Sequence, residues 1–211
     1  PRLVGMAAGE EAAERPDHRG DVLRMLRAGT AAEHEDLERT LDLVDPALSQ
    51  ARLVEVLTLM HGFWLAAEAG LDAWARRLPA DAATVTWHRR RRADLFAADL
   101  ETLGGSGATS TPRLPDLAGT DEALGRMYVL EGSTLGGVFI DRHLAGLPEF
   151  SGTRLRAFSP YGEETGAMWR AFRSATRDHV ATGGSPEAVV TSARATFGAL
   201  ASWCRPAAVP A

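Results

Sequence analysis

Leu23, Leu26, Thr30, His34, Leu37 and Leu41 recur at steps of three and four, which places them on one face of a helix beginning after Asp21. Asp45-Pro46 interrupts the chain. The same period returns in Leu53, Val56, Leu57, Met60, Phe63, Trp64, Ala67 and Leu71, predicting a second helix from Leu48 to Leu78. Leu78-Pro79 ends it, because a residue before proline is pushed out of the helical region. A third helix is expected from about Trp87 to Leu103, with Arg89 to Arg92 near its start. The stretch from Gly104 to Pro115 is rich in Gly, Ser, Thr and Pro and reads as an exposed loop. A fourth helix starts near Thr120-Asp121-Glu122, with Thr120 as its cap and acids in the first turn, and runs to about Leu144. A fifth covers roughly Tyr161 to Ala181. Ser185-Pro186-Glu187 opens a sixth that reaches Cys204. No strand alternation longer than four residues occurs, and no internal repeat. The class is all-α: one domain over 21–205, with a loosely ordered tail at 1–20 and a short one at 206–211.

Composition narrows the function classes. A chain of 211 residues can bury one substantial core. Its net charge of -5 argues against a dedicated nucleic-acid binder, so the Arg89–Arg92 run reads as a solvated helix face. The sequence lacks a run of about 18 apolar residues, so no membrane span is expected and the location is read as cytoplasmic. Cys204 is the only cysteine, which excludes an internal disulfide and a cysteine-built zinc or iron–sulfur centre. None of the six histidines has an acid three residues before it, as a carboxylate-bridged di-iron bundle requires. The glycines near residue 132 are not followed by Lys-Ser/Thr, so they form no phosphate loop. His61, Phe63 and Trp64 are assigned to the core.

Two features exceed the needs of a plain helical bundle. His34 puts an imidazole in the middle of an apolar stripe, with Arg27 two turns earlier on nearly the same face. It is either a hydrogen-bonded core histidine or an axial ligand to a metal or haem iron. The fourth helix carries Gly132, Gly136 and Gly137 within six residues. Glycine inside a helix costs roughly 1 kcal/mol relative to alanine, so the cluster costs about 3 kcal/mol. Gly132 and Gly136 share a face. Such a bare face suits close helix packing, a helix end at Gly136-Gly137, or the approach of a flat ligand.

Together, Leu26-Arg27-x-x-Thr30-x-x-x-His34-x-x-x-Glu38 and, about a hundred residues on, Tyr128-Val129-Leu130-Glu131-Gly132-Ser133-Thr134-Leu135-Gly136-Gly137 resemble the bacterial heme oxygenases. The second string is most similar to the branch associated with bacterial phytochromes. The resemblance spans roughly Val22 to Trp203, with Trp169-x-x-Phe172 and Phe197 to Trp203 downstream. It implies a single-domain heme oxygenase-like bundle with haem, both cofactor and substrate, sandwiched between a proximal and a distal helix. His34 matches the axial iron ligand, with Thr30 in register. Gly132, Ser133 and Gly136 match the catalytic distal helix, kinked at its glycines, with Gly137 and Tyr128 as further cofactor contacts. Arg27 matches a position used for a haem propionate, and Arg170, Arg173 and Arg177 are candidates for the same task. Many family members carry an aspartate where this chain has Ser133. The implied reaction opens haem to biliverdin and releases CO and ferrous iron. It uses O2 and an external electron donor such as ferredoxin or a reductase, and a bacterial phytochrome is a candidate product acceptor. A haem-binding or haem-sensing protein without turnover is the alternative, favoured by Ser133.

Overall fold

The computed structural model describes residues 21–205, so the tails expected at 1–20 and 206–211 lie outside the described residues. Helix α1 (Val22–Leu41) starts where Asp21 caps it, its carboxylate accepting from Leu23 N at 3.1 Å. Ser49 caps α2 (Gln50–Arg77) in the same way, accepting from Arg52 N at 3.2 Å. Leu78-Pro79 does end α2, and the proline opens a short helix, α3 (Pro79–Thr84).

The third expected helix is shorter than its pattern suggested. Residues Trp87–Arg89 form a single 3-10 turn, and α4 spans only Ala93–Thr102. The arginine run therefore lies in a non-helical connection whose alternate side chains point opposite ways. Arg90 and Arg92 are buried at 1% and 2% exposure, which corrects the solvated-face reading. Arg89 and Arg91 do face water.

Helix α5 (Thr120–Gly146) remains helical straight through the glycine cluster, so Gly136-Gly137 is not a helix end. Its cap falls on Gly119, whose N–H donates to Glu122 Oε2 at 2.8 Å. The Thr120 hydroxyl is used elsewhere, donating to Asp81 Oδ2 and accepting from Trp74 Nε1. Helix α6 (Thr165–Ala181) begins after a 3-10 turn at Gly162–Glu164, later than the Tyr161 start expected. In α7 (Pro186–Cys204) Ser185 is the cap and Pro186 the first residue, as the sequence indicates.

The hydrophobic periodicities converge on α7. Both α1 and α5 pack along it, α2 touches it too, and α4 packs on α2. Gly125 permits the tightest of these approaches, since a Cβ there would stand 2.3 Å from the Val189 carbonyl oxygen. Phe63, Trp64, Phe96 and Phe158 form an aromatic cluster on the α2–α4 side of the core. The molecule is all-α, with its core centred on α5 and α7.

Candidate functional site

Helices α1 and α5 each rest on α7 but have hardly any direct contact with one another. On the α5 side, Tyr128, Gly132, Leu135, Gly136 and Phe139 follow helical spacing and are all half-buried. This stripe, with two glycines at its centre, is neither sealed in the core nor fully in water. A Cβ on Gly132 would meet only Trp169 Cη2, at 4.0 Å. Trp169 in turn packs on Tyr128 at 5.8 Å and stacks on Phe172 at 5.7 Å, so an aromatic ladder from α6 borders the bare backbone.

Gly137 departs from its neighbours. It is buried, and a Cβ there would lie 1.9 Å from the Phe158 carbonyl oxygen. Its missing side chain serves close packing against the 150s connection.

On the α1 side, the His34 imidazole is half-exposed and meets Phe197 of α7 edge-on at 5.7 Å. Burial of its packed edge holds its pKa below the ordinary histidine value, so the ring is neutral at pH 7. Glu38 Oε1 stands 3.6 Å from His34 Nδ1, one helical turn on. Burial, then the charge of Glu35, raises the Glu38 pKa above the usual carboxylate value. Thr30 is 2% exposed and its hydroxyl donates to Leu26 O at 2.8 Å. That bond occupies its only hydrogen, so Thr30 supports the helix and has no donor to offer a ligand.

The four candidate arginines separate. Arg27 and Arg170 are exposed, and Arg173 is buried at 7%. Arg177 is engaged with Asp21, its Nη2 donating to Oδ2 at 2.9 Å and its Nε reaching both oxygens at 3.3 Å. It therefore fastens α6 to the start of α1, and the Arg173 charge acts on Asp21 as well.

Behind the glycines lies a buried polar network that periodicity did not reveal. Glu131 accepts from Arg90 Nη1 with one oxygen and from the Tyr161 hydroxyl, at 2.8 Å, with the other. Arg90 also donates to Val85 O at 2.5 Å and to Met168 O at 3.2 Å. Arg92 lies over the Trp64 ring at 4.9 Å. It donates through Nη2 to Leu130 O and to Ser133 Oγ (2.8 Å), and through Nη1 to Ala157 O at 3.2 Å. Glu68 accepts the backbone N–H groups of Arg92 and Ala93 at 2.6 and 2.9 Å. These bonds pin the turn of α5 that carries Gly132 and Ser133 onto the connection before α4. Ser133 sends its own hydrogen to Leu130 O at 2.7 Å and accepts from Arg92, so its oxygen keeps one lone pair and has no proton to donate elsewhere. The clue to this network was the alternation of Arg90 and Arg92, together with Glu131 on the glycine helix.

Among the described residues no group of three or more His, Cys, Asp or Glu side chains could hold a bare metal ion.

No protein-family model and no curated protein matches the sequence. A solved structure does match in three dimensions: a heme oxygenase from Neisseria meningitidis with NO and CO bound. The superposition has a TM-score of 0.69 at 26% sequence identity and covers 87% of this chain and 90% of that one. The fold is that of a heme oxygenase. The bacterial neighbour agrees with the resemblance to bacterial heme oxygenases. Among the described residues no helix is long and apolar enough to cross a membrane.

Proposed function

We propose that this protein is a heme oxygenase that opens haem to biliverdin, releasing CO and ferrous iron with O2 and externally supplied electrons. One observation carries the reading. In a heme oxygenase fold, α1 carries a half-exposed imidazole and α5 a partly exposed glycine stripe, both helices rest on α7, and the haem slot is assigned to the space between them. The residues present fit the group: Gly132 leaves room beside Trp169 for a flat ring, and neutral imidazole is the ligating form of histidine.

Haem, once bound, supplies the iron and the porphyrin carbon at which dioxygen and electrons act. The chain supplies orientation. His34 would hold the haem iron, and Glu38 stands one helical turn on, 3.6 Å from its Nδ1. Arg27 and, from α6, Arg170, Arg173 and Arg177 are the candidate cations for the propionate carboxylates, and the Tyr128 hydroxyl is a further candidate. The Gly132–Gly136 face would meet the group with backbone instead of an acid–base side chain. Ser133, fixed by Arg92, accepts a hydrogen from slot water and so orients it without delivering a proton itself.

That last feature favours a second reading, a haem-binding protein without turnover, because the side chain nearest the glycines has no proton to give. Hemin titration followed by aerobic reduction separates the two. The heme oxygenase reading expects a Soret band that requires His34. With ascorbate or a ferredoxin–reductase couple, that band should decay into bile-pigment absorbance. A persistent Soret band under those conditions leaves only the binding reading, and an unchanged hemin spectrum in His34→Ala removes the ligand assignment. The similarity of the Tyr128–Gly137 string to the phytochrome-associated branch supports a phytochrome as product acceptor. Turnover in the presence of an apo-phytochrome should then yield a red-absorbing adduct.

A further inference from the structure

Arg126 lies on the opposite flank of α5 from Gly132, and nothing in the haem reading uses it. Its side chain is almost wholly buried, at 2% residue exposure. Nη2 donates to the Pro115 carbonyl, while Nε has no hydrogen-bond partner. No carboxylate among the described residues forms an ion pair with it, and Asp116 acts on it only as a more distant charge. The guanidinium lies against the bare α-carbon of Gly70 on α2, where a methyl group would stand 2.3 Å from Nη1. Burial pulls its pKa down to about 10, which still leaves it a cation at neutral pH.

A buried charge without a partner costs several kcal/mol, and most proteins remove such a cost with a counter-ion. Here the guanidinium borders a cleft of about 590 Å³ between α2, the 112–118 connection and α5. Ligand sites commonly occupy ~300–1,000 Å³. Ala73, Leu114 and Leu117 form an apolar part of the wall, Asp116 also lines the cleft, and Arg77 is a second cation at the rim. Arg77 donates to the Leu117 and Ala118 carbonyls and so holds the connection over the cleft. Two guanidiniums against one acid leave the cleft with an excess of cation. Beside alanine and leucine they fit a carboxylate better than a fully hydrated anion, because the carboxylate accepts two parallel N–H bonds while its body buries against the apolar wall.

We propose that this cleft is a binding site for a small organic carboxylate with an apolar body, held by Arg126 and independent of the haem slot. Sodium benzoate and sodium butyrate are the probes, with sodium chloride at equal ionic strength and inorganic phosphate as references. Calorimetric titration and thermal denaturation are run on the full chain, with and without hemin. The expected result is saturable carboxylate binding that raises Tm equally in both forms and falls at least tenfold in Arg126→Gln. Gly70→Ala, which displaces the guanidinium while retaining its charge, should weaken binding too, and it serves as the readout if Arg126→Gln does not fold. A benzoate effect no larger than that of chloride overturns the proposal, as does a response that survives in Gly70→Ala. A phosphate response equal to that of benzoate overturns the carboxylate assignment. Loss of stability in Asp116→Asn with no carboxylate binding to the wild type would show that Asp116 is the counter-ion, and that also overturns it.

Discussion

Replacing Glu131 by Gln tests whether the buried network holds the glycine turn of α5 in place. The Glu131 and Arg90 side chains are 2% and 1% exposed, so neither can be rescued by water where it stands. Glutamine keeps the volume of Glu131 and still offers one oxygen, but it removes the only negative charge paired with Arg90. Breaking a buried pair from one side typically costs about 3–5 kcal/mol. The retained oxygen, and the bonds from Arg90 to Val85 O and Met168 O, put this case at the low end, near 3 kcal/mol. In a domain of this size each kcal/mol lowers Tm by roughly 2–4 °C, so a fall of about 6–12 °C is expected. Replacing both partners with apolar residues, Arg90→Met with Glu131→Leu, removes the stranded charge, and most of the loss should return. The measurement is thermal unfolding of the full chain by circular dichroism at 222 nm for the wild type, Glu131→Gln, Arg90→Met, Glu131→Leu and the double Arg90→Met/Glu131→Leu. A Glu131→Gln Tm within about 2 °C of wild type would refute the reasoning, as would a double variant whose loss is simply the sum of the singles.

The two kinds of glycine should behave differently. Gly137→Ala drives a methyl into the Phe158 carbonyl and is expected to cost about 1–3 kcal/mol, measured by urea unfolding, with hemin affinity little changed in the folded fraction. Gly132→Val fills the open face beside Trp169 and should leave the urea midpoint nearly unchanged while hemin affinity falls at least tenfold, about 1.4 kcal/mol. The folded-state pKa of His34 is lowered by burial, so the unfolded chain binds the extra proton first. Stability from this group is complete above the unfolded value and declines as pH falls below it, a slope that His34→Gln should reduce in unfolding free energies measured from pH 7 to 5. For Asp21, burial raises the pKa, but the Arg177 bonds and charge together with the Leu23 N–H outweigh it, so the folded value is lowered. Its contribution is present at neutral pH and is lost as pH falls through that lowered value. Asp21→Asn keeps the helix cap, so it should cost only about 0.5 kcal/mol at pH 7 and flatten the acid limb of the stability curve.

The helices were legible because their causes are local. The period through Leu23, Leu26, Leu37 and Leu41, the caps at Ser49 and Ser185, and the stop at Leu78-Pro79 all act within one or two turns, and the observed elements follow them. The all-α class and the two strings that resemble heme oxygenases come from the same short-range information. Tertiary structure alone decided the rest. Arg90 meets Glu131 across 41 residues, Arg177 meets Asp21 across 156, and Trp203 donates to Leu59 O across 144. Such pairings depend on which elements α7 brings together, and no periodicity encodes them. Gly132 and Gly137 look alike in sequence because glycine has no side chain to declare its surroundings. One has room beside it and the other meets a carbonyl oxygen, a difference made by the neighbours that the fold delivers.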